Sequence, residues 1–286
     1  MKDHDILLKN HFRDKPECVI DFPSWLLSAQ KVSEYRQMHR LAIVEMAGRD
    51  SVAAAIVAVQ TEGFTDLLPV YAYTGTEYGP WTSVGNAVHR LRQRLPGIRI
   101  HDLVVLGSPR FWHALNGRLM TELIKRYGFY TPCAGCHLYL HAVRIPLAIS
   151  LRAPIVAGER ERHDGAVKVN QTATTLNGYQ DLARRFEVPL LFPLRYIDDG
   201  REIETILGLD WKQDDEQLGC VLSGNYRDSQ NRVHLTEEKM KPYLREFALP
   251  LAFKTIQAYQ QKRVPDHLKM ALDVFQSITT QKGLSK

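Results

Sequence analysis

Residues 41–60 read LAIVEMAGRDSVAAAIVAVQ, and the fold follows from how this stretch is divided. Residues 41–46 form a short apolar run of strand length, and Ala47-Gly48-Arg49 interrupts it with a turn. Asp50-Ser51-Val52-Ala53-Ala54-Ala55-Ile56-Val57-Ala58 follows, with helix formers behind capping residues. The reading is buried strand, tight turn, helix. Such a junction gathers unpaired backbone N–H groups at the positive end of a helix dipole, which suits an anion. Gly48 permits close backbone approach, while Asp50 and Ser51 stand at the helix start. Taken alone, a structural turn with Asp50 as cap is the better account, because glycine turns of this kind recur throughout α/β proteins.

The pattern repeats outward from this unit. Residues 67–73 predict a second strand, 84–95 an amphipathic helix, 101–106 a third strand and 111–127 another helix. Residues 138–151 predict a helix bent or shortened at Pro146. Strands at 154–158 and 189–192 alternate with helices at 175–186 and 202–207. Alternation of this kind implies an α/β fold with a doubly wound, mainly parallel sheet. Ligands of such sheets sit beyond the carboxyl ends of the strands, which puts the Gly48 turn and the Tyr73-Thr74-Gly75-Thr76 loop on one functional edge. Residues 1–36 lack the alternation and read as an amino-terminal arm, 37–235 as the nucleotide-binding and cysteine-bearing domain, and 236–286 as a carboxyl-terminal helical segment. The last eight residues, TTQKGLSK, are expected to fray.

A chain of 286 residues with 44% hydrophobic content can bury a large core without disulfide support. Its 4 cysteines do not form the dense framework of a small secreted domain, so a reducing compartment, the cytoplasm, is expected. The opening MKDHDILLKNHFRDKPE is too polar for a signal peptide, and no apolar stretch approaches the roughly 20 residues of a membrane span. A formal charge of +5 leaves room for ATP or RNA as partner. The basic run at 89–94, HRLRQR, reads as a solvated helix face rather than as a phosphate site.

Three cysteines remain to be explained: Cys133 and Cys136 in TPCAGCHLYLH, and Cys220 in EQLGCVLSGN. Thiolates two residues apart converge on one ion or one face of a cluster. A thioredoxin-type pair belongs to a smaller fold and a different position in it. A structural zinc needs a fourth protein ligand, for which His137 and His141 are available, whereas a 4Fe-4S cluster is held by three thiolates with one iron left open. Cys18 reads as an incidental thiol. The stretch APIVAGERERHD places Gly158, Glu159, Arg160, His163 and Asp164 after a strand; Arg160, Arg162 or Lys168 could neutralise a phosphate, and a solvated charged loop is an equal reading.

These segments together resemble a known family. Strand, AGRDS and helix are similar to the PP-loop of the ATP pyrophosphatase superfamily, whose usual motif is SGGxDS: Gly48, Arg49, Asp50 and Ser51 match, while Met46 and Ala47 depart and remove one hydroxyl donor. The PP-loop followed by C-x-x-C and a later lone Cys resembles the iron–sulfur branch of tRNA thiolation enzymes, the 2-thiocytidine and 2-thiouridine synthetases, over residues 41–221, including PLRYIDDGREIETIL. The resemblance implies an adenine nucleotide alpha hydrolase-like fold and a sulfurtransferase that uses ATP, Mg2+ and a 4Fe-4S cluster. It implies Cys133, Cys136 and Cys220 as metal ligands and, with Asp50, as catalytic residues. Ala47, Gly48, Arg49, Asp50, Ser51, Tyr73, Thr74, Gly158 and Arg160 would contact the nucleotide.

By the same resemblance, ATP adenylates a ring carbonyl oxygen and sulfur displaces AMP. The acceptor expected is a nucleobase in tRNA or in a free small molecule, because the extra zinc-binding cysteines that help such enzymes dock RNA are missing here. The sulfur donor is left open, no membrane is involved and a homodimer is expected. Two alternatives stand beside this reading: a persulfide enzyme using Cys136 and Cys220 without a cluster, and a nucleotide-binding protein with a structural zinc.

Overall fold

A computed structural model describes residues 27–208, 211, 217–233 and 235–283. Cys18 and most of the expected amino-terminal arm lie outside the described residues. In chain order the helices are α1 (Ala29–Arg36), α2 (Arg49–Glu62), α3 (Thr82–Arg94), α4 (Pro109–Asn116), α5 (Met120–Tyr127) and α6 (Pro132–Ala142). They continue as α7 (Ile145–Leu151), α8 (Ala173–Arg184), α9 (Gly200–Leu207), α10 (Glu237–Tyr243), α11 (Leu249–Gln260) and α12 (His267–Gly283). The strands are β1 (Leu41–Glu45), β2 (Asp66–Tyr73), β3 (Glu77–Tyr78), β4 (Arg99–Ile100), β5 (Val104–Gly107), β6 (Ile155–Val156), β7 (Leu190–Leu191) and β8 (Gly219–Cys220).

The main sheet is parallel throughout. β1 pairs with β2 on one side and β6 on the other, β6 pairs with β7, and both β4 and β5 pair with β2. The chain therefore winds outward from β1 through β2, crosses back over β1 to β6, and ends at β7. This reversal makes the carboxyl ends of β1 and β6 a topological switch point, where the following loops diverge and leave a crevice. Along β1, Leu41 and Ile43 enter one core cluster while Ala42 and Val44 enter another. Both faces are buried, as the unbroken apolar run requires. Helices α2, α3 and α9 cover one face; the other is covered by α4 to α8 and by the carboxyl-terminal helices, whose Phe247, Leu251, Ala271 and Val274 share its core.

Several elements depart from the sequence expectation for local reasons. The third strand is two short strands, because His101 turns aside to Asp66 Oδ1 at 3.2 Å and packs edge-on against Tyr35. The helix expected at 111–127 is broken at Gly117, where a Cβ would stand 2.6 Å from the His113 ring. The helix expected from 138 begins six residues earlier: Thr131 takes the N-cap and Pro132 the first helical position, which needs no N–H. Cys133 and Cys136 consequently lie on the opening turns of α6. Pro146 starts the separate helix α7 rather than kinking a long one. At the carboxyl end helical backbone continues to Gly283, past the point where fraying is expected, since Val274 and Ile278 anchor α12 in the core.

Candidate functional site

Gly48 caps α2, and the turn before it is closed by a single hydroxyl. Ser51 Oγ accepts from the backbone N–H groups of Ala47 and Gly48, both at 3.0 Å, and donates to the Gly48 carbonyl at 2.7 Å. Met46, which stands where the PP-loop pattern has serine, is fully buried, with its sulfur 3.7 Å from that hydroxyl. The end of β6 presses on the same turn: a Cβ at Gly158 would meet the Asp50 carbonyl at 2.6 Å and the Ser51 nitrogen at 2.7 Å. Only glycine permits this approach. The segment leading to Cys220 crosses here too, since a Cβ on Gly48 would lie 2.7 Å from Gln217 Oε1.

Asp50 sits among cations. Arg49 Nε lies 3.0 Å from its Oδ1 and Arg160 Nε 3.6 Å from its Oδ2. Glu159 and Arg160 are buried while Arg162 and Asp164 are exposed, so the solvated-loop reading fails for the first half of residues 158–164 and holds for the rest. Arg160 donates from Nη2 to His163 Nδ1 at 3.0 Å, but its Nε and Nη1 have no hydrogen-bond partner among the described residues. Burial, together with Lys168 and Arg160, pushes His163 down to about 4, so it is neutral and its Nδ1 accepts. Burial also lowers Lys168 from the ordinary lysine range. Arg49, Arg160 and Lys168 around one aspartate leave a surplus of positive charge beside a helix amino terminus, an arrangement that attracts an anion.

A cavity of about 270 Å³ opens beside this turn. Ala47, Thr74 and Lys168 line it, and so do Cys133, Cys136 and Cys220. The last of these is delivered by a small antiparallel ribbon in which Glu77 faces Cys220 and Tyr78 faces Gly219. Glu77 holds the ribbon in place by accepting from Thr74 N at 2.7 Å, Gly75 N at 2.8 Å and Tyr71 OH at 3.1 Å. Tyr73 stands behind this wall: its carbonyl accepts from Tyr139 OH and its ring packs on Trp81. All three cysteines are free thiols. Burial raises the Cys133 thiol to about 11 and pushes Cys136 well above the ordinary thiol range.

Each sulfur also has donors that favour its thiolate, against the burial that favours the neutral thiol. Cys220 receives the Leu222 N–H at 3.4 Å and faces the Thr76 hydroxyl at 3.3 Å. Backbone groups of Gly224 and Asn225 favour the thiolate of Cys133, and the Trp112 side chain favours that of Cys136. The three sulfurs do not fit a single zinc ion. Among the described residues, the only three His, Cys, Asp or Glu ligand atoms within 4.8 Å of one another belong to Glu45, His141 and Glu159. A tetrahedral zinc with bonds of about 2.3 Å needs its sulfurs closer than that. In an iron–sulfur cluster each cysteine bonds its own iron, and three thiols lining one cavity are the donor set such a cluster takes.

The histidines offered for zinc turn elsewhere. His141 Nε2 lies 3.1 Å from Glu159 Oε1 and Nδ1 3.2 Å from Glu45 Oε2, while His137 Nδ1 meets Glu159 Oε1 at 2.9 Å. Burial pulls His141 down, yet the two carboxylates outweigh it and raise it to about 9. Arg144 Nη1 completes the group 3.1 Å from Glu45 Oε2. This is a charge-balanced buried network, with His141 as the cation bridging two carboxylates. His141 is thus taken up by the two carboxylates and does not stand as a fourth ligand beside the cysteines. The basic run at 89–94 serves neighbouring elements: Arg94 donates to the Ile206 carbonyl at 3.1 Å and Arg90 covers the Trp211 ring.

Sequence reading placed Thr76 on the functional edge but missed Glu45, Glu77, Trp112 and the Glu159–His141 pair. Only Glu77 carried a signal, as an acid placed just after the Tyr73 loop.

An uncharacterized protein of Methanocaldococcus jannaschii, MJ0009, is 40% identical over 227 residues, which cover 77% of this chain and 81% of that protein. The chain belongs to its family. No protein-family model matches the sequence. Among solved structures, a 4-thiouridine synthetase in complex with RNA and bound ATP is similar at a TM-score of 0.45 and 16% identity. The similarity covers 83% of this chain and 53% of that one, so the chain spans about half the length of that synthetase. No described helix of this MJ0009 family member is long and apolar enough to cross a membrane.

Proposed function

We propose that the chain is an ATP-dependent sulfur transferase that adenylates a carbonyl of a nucleobase, in tRNA or a free small molecule, and replaces the oxygen with sulfur. The observation that carries this reading is the shared cavity, where three cysteines from two distant segments open beside Ala47 of the glycine turn and beside Lys168. Cys133, Cys136 and Cys220 would hold a 4Fe-4S cluster, which supplies, when bound, an open iron able to keep a sulfide deprotonated next to the acceptor.

The remaining roles belong to the chain. Ala47, Gly48, Arg49, Asp50, Ser51, Tyr73, Thr74, Gly158 and Arg160 are the proposed nucleotide contacts. Arg49, Arg160 and Lys168 draw the phosphates to the start of α2, and Asp50 takes the accompanying Mg2+. The acceptor oxygen attacks the α-phosphorus and pyrophosphate leaves. A carbon–sulfur bond then forms as the carbon–oxygen bond to AMP breaks. The same cations stabilise the charge that develops on both leaving groups. Ser51 acts through the turn it closes. The reducing cytoplasm suits three free thiols and is the proposed compartment.

Anaerobic purification and reconstitution, with iron and sulfide measured and ATP added, tests the reading. A brown protein that releases AMP and pyrophosphate with a nucleobase acceptor is expected. A colourless protein that binds one zinc per chain refutes it.

A further inference from the structure

Trp112 stands in the wall of the cysteine cavity, on α4, with its indole packed against the core that also receives α6. Its Nε1–H is buried and has no hydrogen-bond partner among the described residues. Buried donors are seldom left in this state, and each one calls for a reason. Cys136 lines the same cavity from α6, and its sulfur is the acceptor on which this N–H bears. A neutral thiol accepts hydrogen bonds weakly, whereas a sulfur carrying negative charge accepts them well. The other two cysteines have different donors: the Leu222 N–H and Thr76 hydroxyl at Cys220, and the backbone of Gly224 and Asn225 at Cys133. A buried indole N–H without a well-formed acceptor, in the same cavity wall as the most deeply buried of three thiols, makes sense once that thiol has become a metal-bound thiolate.

We propose that Trp112 is a positioning residue for the cluster, whose indole N–H donates to the Cys136 sulfur when that sulfur is ligated. The inference rests on the cluster reading given above. A hydrogen bond to a ligating sulfur fixes the orientation of the ligand and withdraws charge from it. Withdrawn charge stabilises the reduced cluster, so the bond raises the reduction potential. A tryptophan that only fills space would leave the potential where it is.

The test uses the full-length reconstituted protein and Trp112→Phe, which keeps an aromatic ring and removes the donor. Potentiometric titration followed by electron paramagnetic resonance is expected to give a lower potential for W112F at equal iron content. Equal potentials overturn the inference. A second measurement needs no variant: protein labelled with nitrogen-15 at the tryptophan indole is reduced and examined by pulsed electron paramagnetic resonance. Coupling of the cluster spin to an indole nitrogen is expected, and its absence overturns the inference even if W112F fails to fold. A wild-type chain that takes up no iron removes the cluster reading and this inference together. A shifted potential in a protein that transfers no sulfur leaves the role of Trp112 standing and refutes the transferase.

Discussion

Thr76 Oγ1 stands 3.3 Å from Cys220 Sγ, a contact between residues 144 positions apart in the chain. It is made because Val221 N donates to the Thr76 carbonyl at 3.0 Å and β8 pairs with β3, so the lone cysteine is tied to the loop that follows β2. The backbone holds Cys220 and its side chain is half-buried, so the thiol adds little to folding. Cys220→Ala is expected to change stability by about 0.5 kcal/mol or less, as is usual away from packed cores. The same change should strip the reconstituted protein of its charge-transfer absorbance and of sulfur transfer. Iron analysis beside a urea melt checks this, and a C220A protein with full iron content would remove Cys220 from the ligand set.

Gly158 offers a sharper structural test. A methyl group there would lie 2.6 Å from the Asp50 carbonyl and 2.7 Å from the Ser51 nitrogen, both backbone atoms that cannot step aside. Gly158→Ala should therefore destabilise the fold by roughly 1–3 kcal/mol, the range for overpacked sites. Because the clash falls on the first turn of α2, nucleotide affinity should drop as well. Thermal melts with and without ATP read both effects; a variant as stable as the parent would mean that β6 does not press on the turn.

Ser51 predicts a different signature. Its hydroxyl satisfies two backbone N–H groups, of which Gly48 is buried while Ala47 is exposed. Ser51→Ala leaves the buried one unpaired, which costs about 1–2 kcal/mol. Ser51→Thr keeps the hydroxyl and should recover most of that loss. If S51A and S51T melt alike, the hydroxyl does not close the turn.

The strand, turn and helix at 41–60 were legible because both signals are local: an apolar run of strand length, then small residues and a cap. The three cysteines were legible for the opposite reason, since thiols are rare and their spacing is informative without any knowledge of the fold. What escaped was the pairing of ordinary residues across long separations. Nothing in residues 37–46 says that Glu45 will meet His141 and Arg144 from α6 and its end, and nothing near Trp112 says that its indole will face Cys136. The start of α6 was a different failure. Thr131-Pro132 is an N-cap followed by a first-turn proline, a local signal that starts the helix ahead of the cysteine pair.

His141 supplies a prediction about pH. With a carboxylate at each ring nitrogen, it holds its proton up to about 9, against 6.5 for an unperturbed histidine. The folded protein thus carries a proton that the unfolded chain gives up between these values. The stabilisation is complete below about pH 6.5 and is lost as pH rises through about 9. A shift of this size corresponds to stability on the order of a few kcal/mol. His163 and His267, lowered to about 4, act below the window, and the raised Cys133 and Cys136 thiols act on its alkaline side. On the acid side, Arg144 and His141 outweigh burial at Glu45, and His137 and His141 do so at Glu159, so both carboxylates are lowered and their contribution disappears as pH falls. Urea unfolding from pH 6.5 to 9 should show a steady decline in the parent protein. His141→Gln removes the bridging cation and leaves two buried carboxylates facing one another, a loss of roughly 3–5 kcal/mol by analogy with broken buried pairs. In that variant the decline across the same window should vanish. A slope that survives the substitution would assign the titration to another group and with it dissolve the charge balance argued for Glu45, His141 and Glu159.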